Sequence, residues 1–177
     1  MNEDSLEKLK YPIGKFVAKE NYSYHEVEQL INDIATFPSL LYKTTENLSD
    51  SQLDTPYRPD GWTIRQLIHH CSDSHANAYI RLKLALTEEE PVVKPYLEEK
   101  WAELPDSKLP IAASLKMIES IHYKWVVLMQ HMQPHHWERT YFHPQSQKSF
   151  TLHYLLDLYA WHCRHHFMHI QNGLLQK

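Results

Sequence analysis

Apolar side chains recur at three- and four-residue intervals in four long stretches of this chain, the period that lines up one face of an α-helix. The first stretch runs from about Tyr24 to Leu48 and carries Val27, Leu30, Ile31, Ile34, Leu41 and Leu48. Pro38 within it has no amide hydrogen, so a kink or break is expected near Phe37. The second, about Thr63 to Leu86, opens with Thr63 three residues before Gln66, the spacing of a capping box. Its stripe is Ile64, Leu67, Ile68, Cys71, His75, Ala78, Leu82 and Ala85. The third, about Ile111 to Met132, carries Leu115, Ile118, His122, Trp125, Met129 and Met132. The fourth, about Thr151 to Leu174, carries Leu152, Leu155, Leu156, Tyr159, Cys163, His166 and Ile170. Four amphipathic helices with one stripe apiece bury those stripes most economically against each other. The expected fold class is therefore all-α, a four-helix bundle.

Between the second and third helices, Thr87 to Pro110 is too long for a tight hairpin and is marked by Pro91, Pro95, Pro105 and Pro110. Such a connection suits a crossover or a functional loop, with a short helix expected over Leu97 to Leu104. The leading residues Tyr11 to Phe16 are too apolar for a free tail. Residues 1–20 are accordingly expected as an extended segment docked on a single 1–177 domain.

Composition narrows the function. Only three glycines in 177 residues disfavour a turn-rich β protein. A net charge of -4, without a basic block, disfavours a nucleic-acid partner. No run approaches the roughly eighteen apolar residues of a membrane span. The acidic start Met1-Asn2-Glu3-Asp4 is followed by no apolar segment of a secretory signal. Two cysteines, Cys71 and Cys163, fit a reducing compartment better than a disulfide framework. The localisation expected is cytoplasmic.

Fourteen histidines are unusual for this length, and four of them lie between His162 and His169. On a helical wheel His166 falls inside the arc of Leu155, Leu156, Tyr159 and Ile170, and His162 falls at its edge. His165 turns toward solvent, and His169 is a reserve. Residues four apart on a helix have Cβ atoms roughly 5–6 Å apart, close enough for one metal ion with bonds of roughly 2.0–2.1 Å to join two imidazoles. A single buried histidine is more simply satisfied by hydrogen bonds. Two on one face, with His69 and His70 on another helix, shift the balance to metal binding. Periodicity barely separates His69 from His70; Ser74 and Asn77 make the flank of His70 small and polar. His75 lies in the stripe and reads as a satisfied core residue. Asp73 either orients a ligand imidazole or is a solvated charge. No Glu stands where H-E-x-x-H needs one, and only Glu119-Ser120-Ile121-His122 fits the Glu-x-x-His of di-iron bundles. Cys71 and Cys163 read as small buried hydrophobes.

Gly61-Trp62-Thr63-Ile64-Arg65-Gln66-Leu67-Ile68-His69-His70, with Leu53 to Arg58 before it and Asp73-Ser74-His75 after it, resembles the YfiT branch of the DinB-like family. The resemblance continues at Tyr79 to Lys83, Leu86 to Glu89, Trp101 to Leu104, His122 to Trp125, Tyr141 to Pro144 and Tyr159 to His162. It implies an up-down-down-up four-helix bundle that forms a homodimer. It also implies one divalent metal ion per subunit, zinc first and nickel second. The matching ligand positions are His70, His162 and His166. Members are described as metal-dependent hydrolases, and related enzymes transfer low-molecular-weight thiols such as bacillithiol to electrophiles. Cys71 and Cys163 depart from the residues expected at those positions.

Three neutral histidines leave coordination positions open, as in catalytic sites. The expected function is a metal-dependent enzyme acting on a small-molecule substrate, either a hydrolase or a thiol S-transferase. No convincing general base accompanies the triad, which leans toward the thiol. An enzyme should show a pocket lined partly by the 87–110 connection. The alternatives are a non-catalytic metal-binding or stress-response bundle, and a metal-free scaffold rich in histidine.

Overall fold

The computed structural model of the chain describes residues 3–175. Residues 1, 2, 176 and 177, at the ends of the expected 1–177 domain, lie outside the described residues. In chain order the elements are α1 (Glu3–Lys10), α2 (Tyr24–Thr45), α3 (Asp50–Leu53), α4 (Ile64–Thr87), α5 (Glu98–Trp101) and α6 (Ala112–Gln130). A β-hairpin of β1 (Thr140–His143) and β2 (Lys148–Thr151) then leads directly into α7 (Leu152–Leu175). Short 3-10 turns occupy Pro105–Lys108 and Pro134–His136.

The four long stretches of the sequence are α2, α4, α6 and α7, each within a few residues of its expected bounds. Thr63 caps α4 as its spacing predicts: its hydroxyl accepts from the Gln66 amide, and the Gln66 side chain accepts from the Thr63 amide. α2 packs on α6 and α7, and α4 packs on the same two helices. Directions follow from the pairs in contact. His69 meets Ser114 and His75 meets His122, so α4 and α6 run parallel. His70 meets His162 while Ser74 meets Tyr159, so α4 and α7 run antiparallel. Tyr22 meets Asp157 and Asp33 meets Arg164, so α2 and α7 run parallel. The bundle is therefore up-down-down-up. A helix of this length spans about 36 Å, and the chain must return that distance between two parallel helices.

That return is residues 88–111, and it is tied down. Phe142 donates its amide to the Pro91 carbonyl and accepts from Val93, both at 3.0 Å, fastening the crossover to β1. Arg139 donates to the carbonyls of Ala85 and Glu88 at the C-terminal end of α4. The expected short helix over 97–104 is present as α5, followed by a 3-10 turn.

The core is continuous through the bundle: Ile34, Phe37, Leu41, Ile64, Leu67, Ile118, Trp125 and Leu155 are all almost wholly buried. Each such side chain contributes about 1.5–3 kcal/mol relative to exposure. Three local expectations fail. α2 runs unbroken through Pro38; the Ile34 carbonyl, which loses its helical donor there, accepts instead from His122 Nδ1 at 2.6 Å. Residues 3–10 are helical rather than extended, and Tyr11 and Phe16 lie against His165 and Trp161 of α7. The β-hairpin has no counterpart in the helical reading of the sequence. Among the described residues no helix is long and apolar enough to cross a membrane.

Candidate metal centre

α4 carries His70 and α7 carries His162 and His166, and their antiparallel packing brings the three rings together. His70 Nε2 lies 3.2 Å from His162 Nε2. Ring centroids are 4.3 Å apart for His162 and His166 and 4.8 Å apart for His70 and His166. One nitrogen from each ring lies within 4.8 Å of the others. Nitrogens sharing a tetrahedral ion at bonds of 2.0–2.1 Å sit roughly 3.3 Å apart, so the His70–His162 spacing already matches a metal-bound pair, and a His166 nitrogen lies within 4.8 Å of both.

His70 and His166 are buried, while His162 keeps some exposure. Trp62 covers one side of His70, at 4.7 Å between centroids. Burial pushes the His70 imidazole down to about 4, and pushes His162 and His166 well below the ordinary histidine value. All three are thus neutral at pH 7, the form in which imidazole binds metal.

Three further groupings have donor atoms equally close: Cys71 with His75 and His162, Cys163 with His75 and His122, and His165 with His166 and His169. As at His70 and His162, nitrogens in these groupings face one another at hydrogen-bond distance, so spacing alone does not set them apart. His75 Nδ1 is 2.7 Å from His122 Nε2, His75 Nε2 is 3.0 Å from His162 Nδ1, and His169 Nδ1 is 3.3 Å from His166 Nδ1. Burial raises both thiols, so they stay protonated and are poor ligands.

The other histidine expectations divide. His69 points away: its Nε2 donates to the Leu109 carbonyl at 3.0 Å and its Nδ1 meets Ser114 Oγ at 2.8 Å. His75 is fully buried with both nitrogens engaged. The Asp73 carboxylate makes no hydrogen bond to His69 or His70 among the described residues. His165, expected in solvent, is buried because the segment after α1 covers that face of α7; it stacks on Trp161 at 4.2 Å. His169 donates Nε2–H to the Lys10 carbonyl at 3.1 Å. What the sequence reading missed is His122, whose partners His75 and Ile34 lie 47 and 88 residues away. A mid-helix proline implies an orphaned carbonyl, but nothing local tells which residue answers it.

Beside His162 opens a cavity of about 540 Å³ whose lining includes Ser74, Arg81, Tyr96, His143 and Tyr159. Residues 96–100 of the crossover form part of its wall. A larger groove of about 1000 Å³, running along Pro38, Tyr42 and Leu115, includes none of the three convergent histidines.

Residues 34–170, which span every one of these side chains except the N-terminal covering segment, match the family described as the DinB superfamily. The chain belongs to the DinB superfamily. Among DinB relatives, a Bacillus cereus (strain ATCC 10987 / NRS 248) protein named "Putative metal-dependent hydrolase" is 50% identical over 162 residues, covering 92% of this chain and 93% of its own. A Bacillus mycoides (strain KBAB4) protein bearing the same description is 48% identical over 165 residues, covering 93% and 95%. The solved structure of YfiT from Bacillus subtilis, described as "a probable metal-dependent hydrolase with an unusual four-helix bundle topology", superposes with a TM-score of 0.91 at 41% identity, covering 94% of this chain and 95% of that one. The DinB bundle seen here shares that topology.

Proposed function

We propose that this chain is a metal-dependent enzyme in which His70, His162 and His166 hold one divalent ion, zinc before nickel, at the end of a small-molecule pocket. The observation that carries this reading is the meeting of three neutral imidazoles from two helices beside a cavity partly walled by the crossover. A purely structural bundle has no need to open a cavity at its histidines. When bound, a divalent ion supplies Lewis acidity and brings the pKa of a water or thiol toward neutrality. The protein's part is to keep three imidazoles unprotonated and converged. Arg81 offers a fixed cation for the anionic portion of a substrate, and Tyr96 and Tyr159 present hydroxyls to the same cavity.

Hydrolysis is the first reading, in line with what the relatives are named. Thiol S-transfer is the second, and one observation favours it. His75, hydrogen-bonded to His162, has both nitrogens occupied, and Asp73 touches neither imidazole of the His69-His70 pair, so neither of these two neighbours serves as a base coupled to the triad. A thiol that arrives ionised needs no such base.

Elemental analysis after tag-free purification should find one divalent ion per subunit in the wild type and less than a tenth of that in His162→Ala. Mass spectrometry of reactions with model esters, and with a thiol panel plus an electrophile, then separates the two chemistries. Equal metal content in the variant would sink the site. Stoichiometric metal without either product would leave the non-catalytic bundle. Sedimentation of the same sample tests the homodimer that we include in this reading.

A further inference from the structure

A backbone carbonyl carries lone pairs and no hydrogen, so an imidazole nitrogen hydrogen-bonded to one must hold the proton. Applied at two carbonyls, this rule settles five rings. His122 Nδ1 donates to the Ile34 carbonyl freed by Pro38. A neutral imidazole has one N–H, so His122 Nε2 accepts, and His75 Nδ1, 2.7 Å away, donates to it. His75 Nε2 is then bare and accepts from His162 Nδ1 at 3.0 Å. The remaining nitrogen of His162, Nε2, is left with its lone pair, and it is the atom 3.2 Å from His70 Nε2. The second series begins where α1 ends. His169 Nε2 donates to the Lys10 carbonyl, His169 Nδ1 accepts from His166 Nδ1 at 3.3 Å, and His166 Nε2 is left bare. Neutrality of the links agrees with their burial, which lowers His122 and His169 to about 4 and His75 further.

We propose that these two series, Ile34–His122–His75–His162 and Lys10–His169–His166, are positioning chains that lock the tautomers of His162 and His166 and so aim two lone pairs at a divalent cation. His75, His122 and His169 are then positioning residues rather than spare ligands. The inference rests on the metal reading above and deepens it. It also accounts for the excess of buried histidine. Reversing any one link would set two buried N–H groups, or two bare nitrogens, against each other, so each chain has a single self-consistent state. His70 meets the first chain only at its open end, where its Nε2 faces His162 Nε2, and it packs against Trp62 on the other side.

The direct test is nitrogen-15 NMR of the imidazoles in the full-length protein, zinc-loaded and zinc-free. His75, His122, His162 and His166 should all appear as the Nδ1–H form and His169 as Nε2–H. His169 found as Nδ1–H, or His75 as Nε2–H, would overturn the chains. A paired measurement uses zinc affinity by chelator competition. His122→Leu removes both hydrogen bonds and should weaken zinc roughly 10–100-fold, the usual effect of losing a ligand's supporting partner. His122→Gln keeps a donor for Ile34 and an acceptor for His75, and should stay within about threefold of wild type. Equal loss in both variants, or none in either, contradicts the proposal. Should His122→Leu not fold, the wild-type spectra still decide. Failure of the underlying metal reading looks different: wild type that binds neither zinc nor nickel stoichiometrically overturns it and removes the purpose of the chains, whatever their tautomers. Zinc bound normally with the wrong tautomers overturns the chains alone.

Discussion

Cys71 and Cys163 follow His70 and His162 in sequence, yet both thiols are buried and held protonated, packed as small apolar groups. Replacing either with alanine should leave metal stoichiometry at the wild-type value and cost about 1 kcal/mol of stability. Elemental analysis with a denaturant melt checks both, and loss of metal in Cys71→Ala would mean that sulfur belongs to the ligand set. At this scale the sequence was informative where geometry is local. His162 and His166 are neighbours on any helix, so their pairing follows from spacing alone. His69 and His70 are not separable that way, because the choice depends on Leu109, at the end of the crossover, and Ser114, at the start of α6. His122 was visible in the stripe of the third helix, in the family resemblance and as a failed di-iron motif, but not as a partner of His75. Its role comes from a carbonyl on another helix.

Among the elements, α7 passes close to the start of α4 at Gly173. A Cβ there would meet Ile64 Cγ1 at 3.0 Å and Cδ1 at 3.1 Å. Alanine gains about 1 kcal/mol at most in helix propensity and gives back a similar amount in crowding, so Gly173→Ala should be near neutral. Gly173→Val adds bulk that Ile64, wholly buried, cannot escape, and should cost about 1–3 kcal/mol. Equal stability of the two variants in urea melts would show that the contact is softer than described. The four long helices were readable because each has an unbroken apolar stripe and α4 carries its own capping signal. The hairpin was not readable, since four-residue strands give too little alternation to outweigh their helical surroundings. α2 defeats the expectation from Pro38 because tertiary structure answered the carbonyl that the proline orphaned.

For the whole molecule, seven buried histidines set the response to acid: His69, His70, His75, His122, His165, His166 and His169. Each has a folded pKa below the ordinary 6.5, so below that pH the unfolded chain binds protons that the folded one refuses. Stability is therefore full above about pH 6.5 and is lost as pH falls toward 4. At about 1.4 kcal/mol per group per pH unit, the four lowered to about 3–4, His70, His122, His165 and His169, by themselves remove on the order of 4–5 kcal/mol within one unit, a large part of the total for a typical domain. The metal-free protein should lose its far-UV circular dichroism between about pH 6 and 5; native signal persisting at pH 4 would contradict this. The bundle and its long return strap were legible from periodicity and prolines. The parallel pairing of α4 with α6 entered only through the family resemblance, because helix direction leaves no mark on a stripe. A consequence reaches beyond this chain. The proline at 38 creates the vacancy that the imidazole at 122 fills, so the two positions should be inherited as one unit. Relatives that have lost the proline should also have let the histidine drift, and aligned genomes would display the two letters changing together.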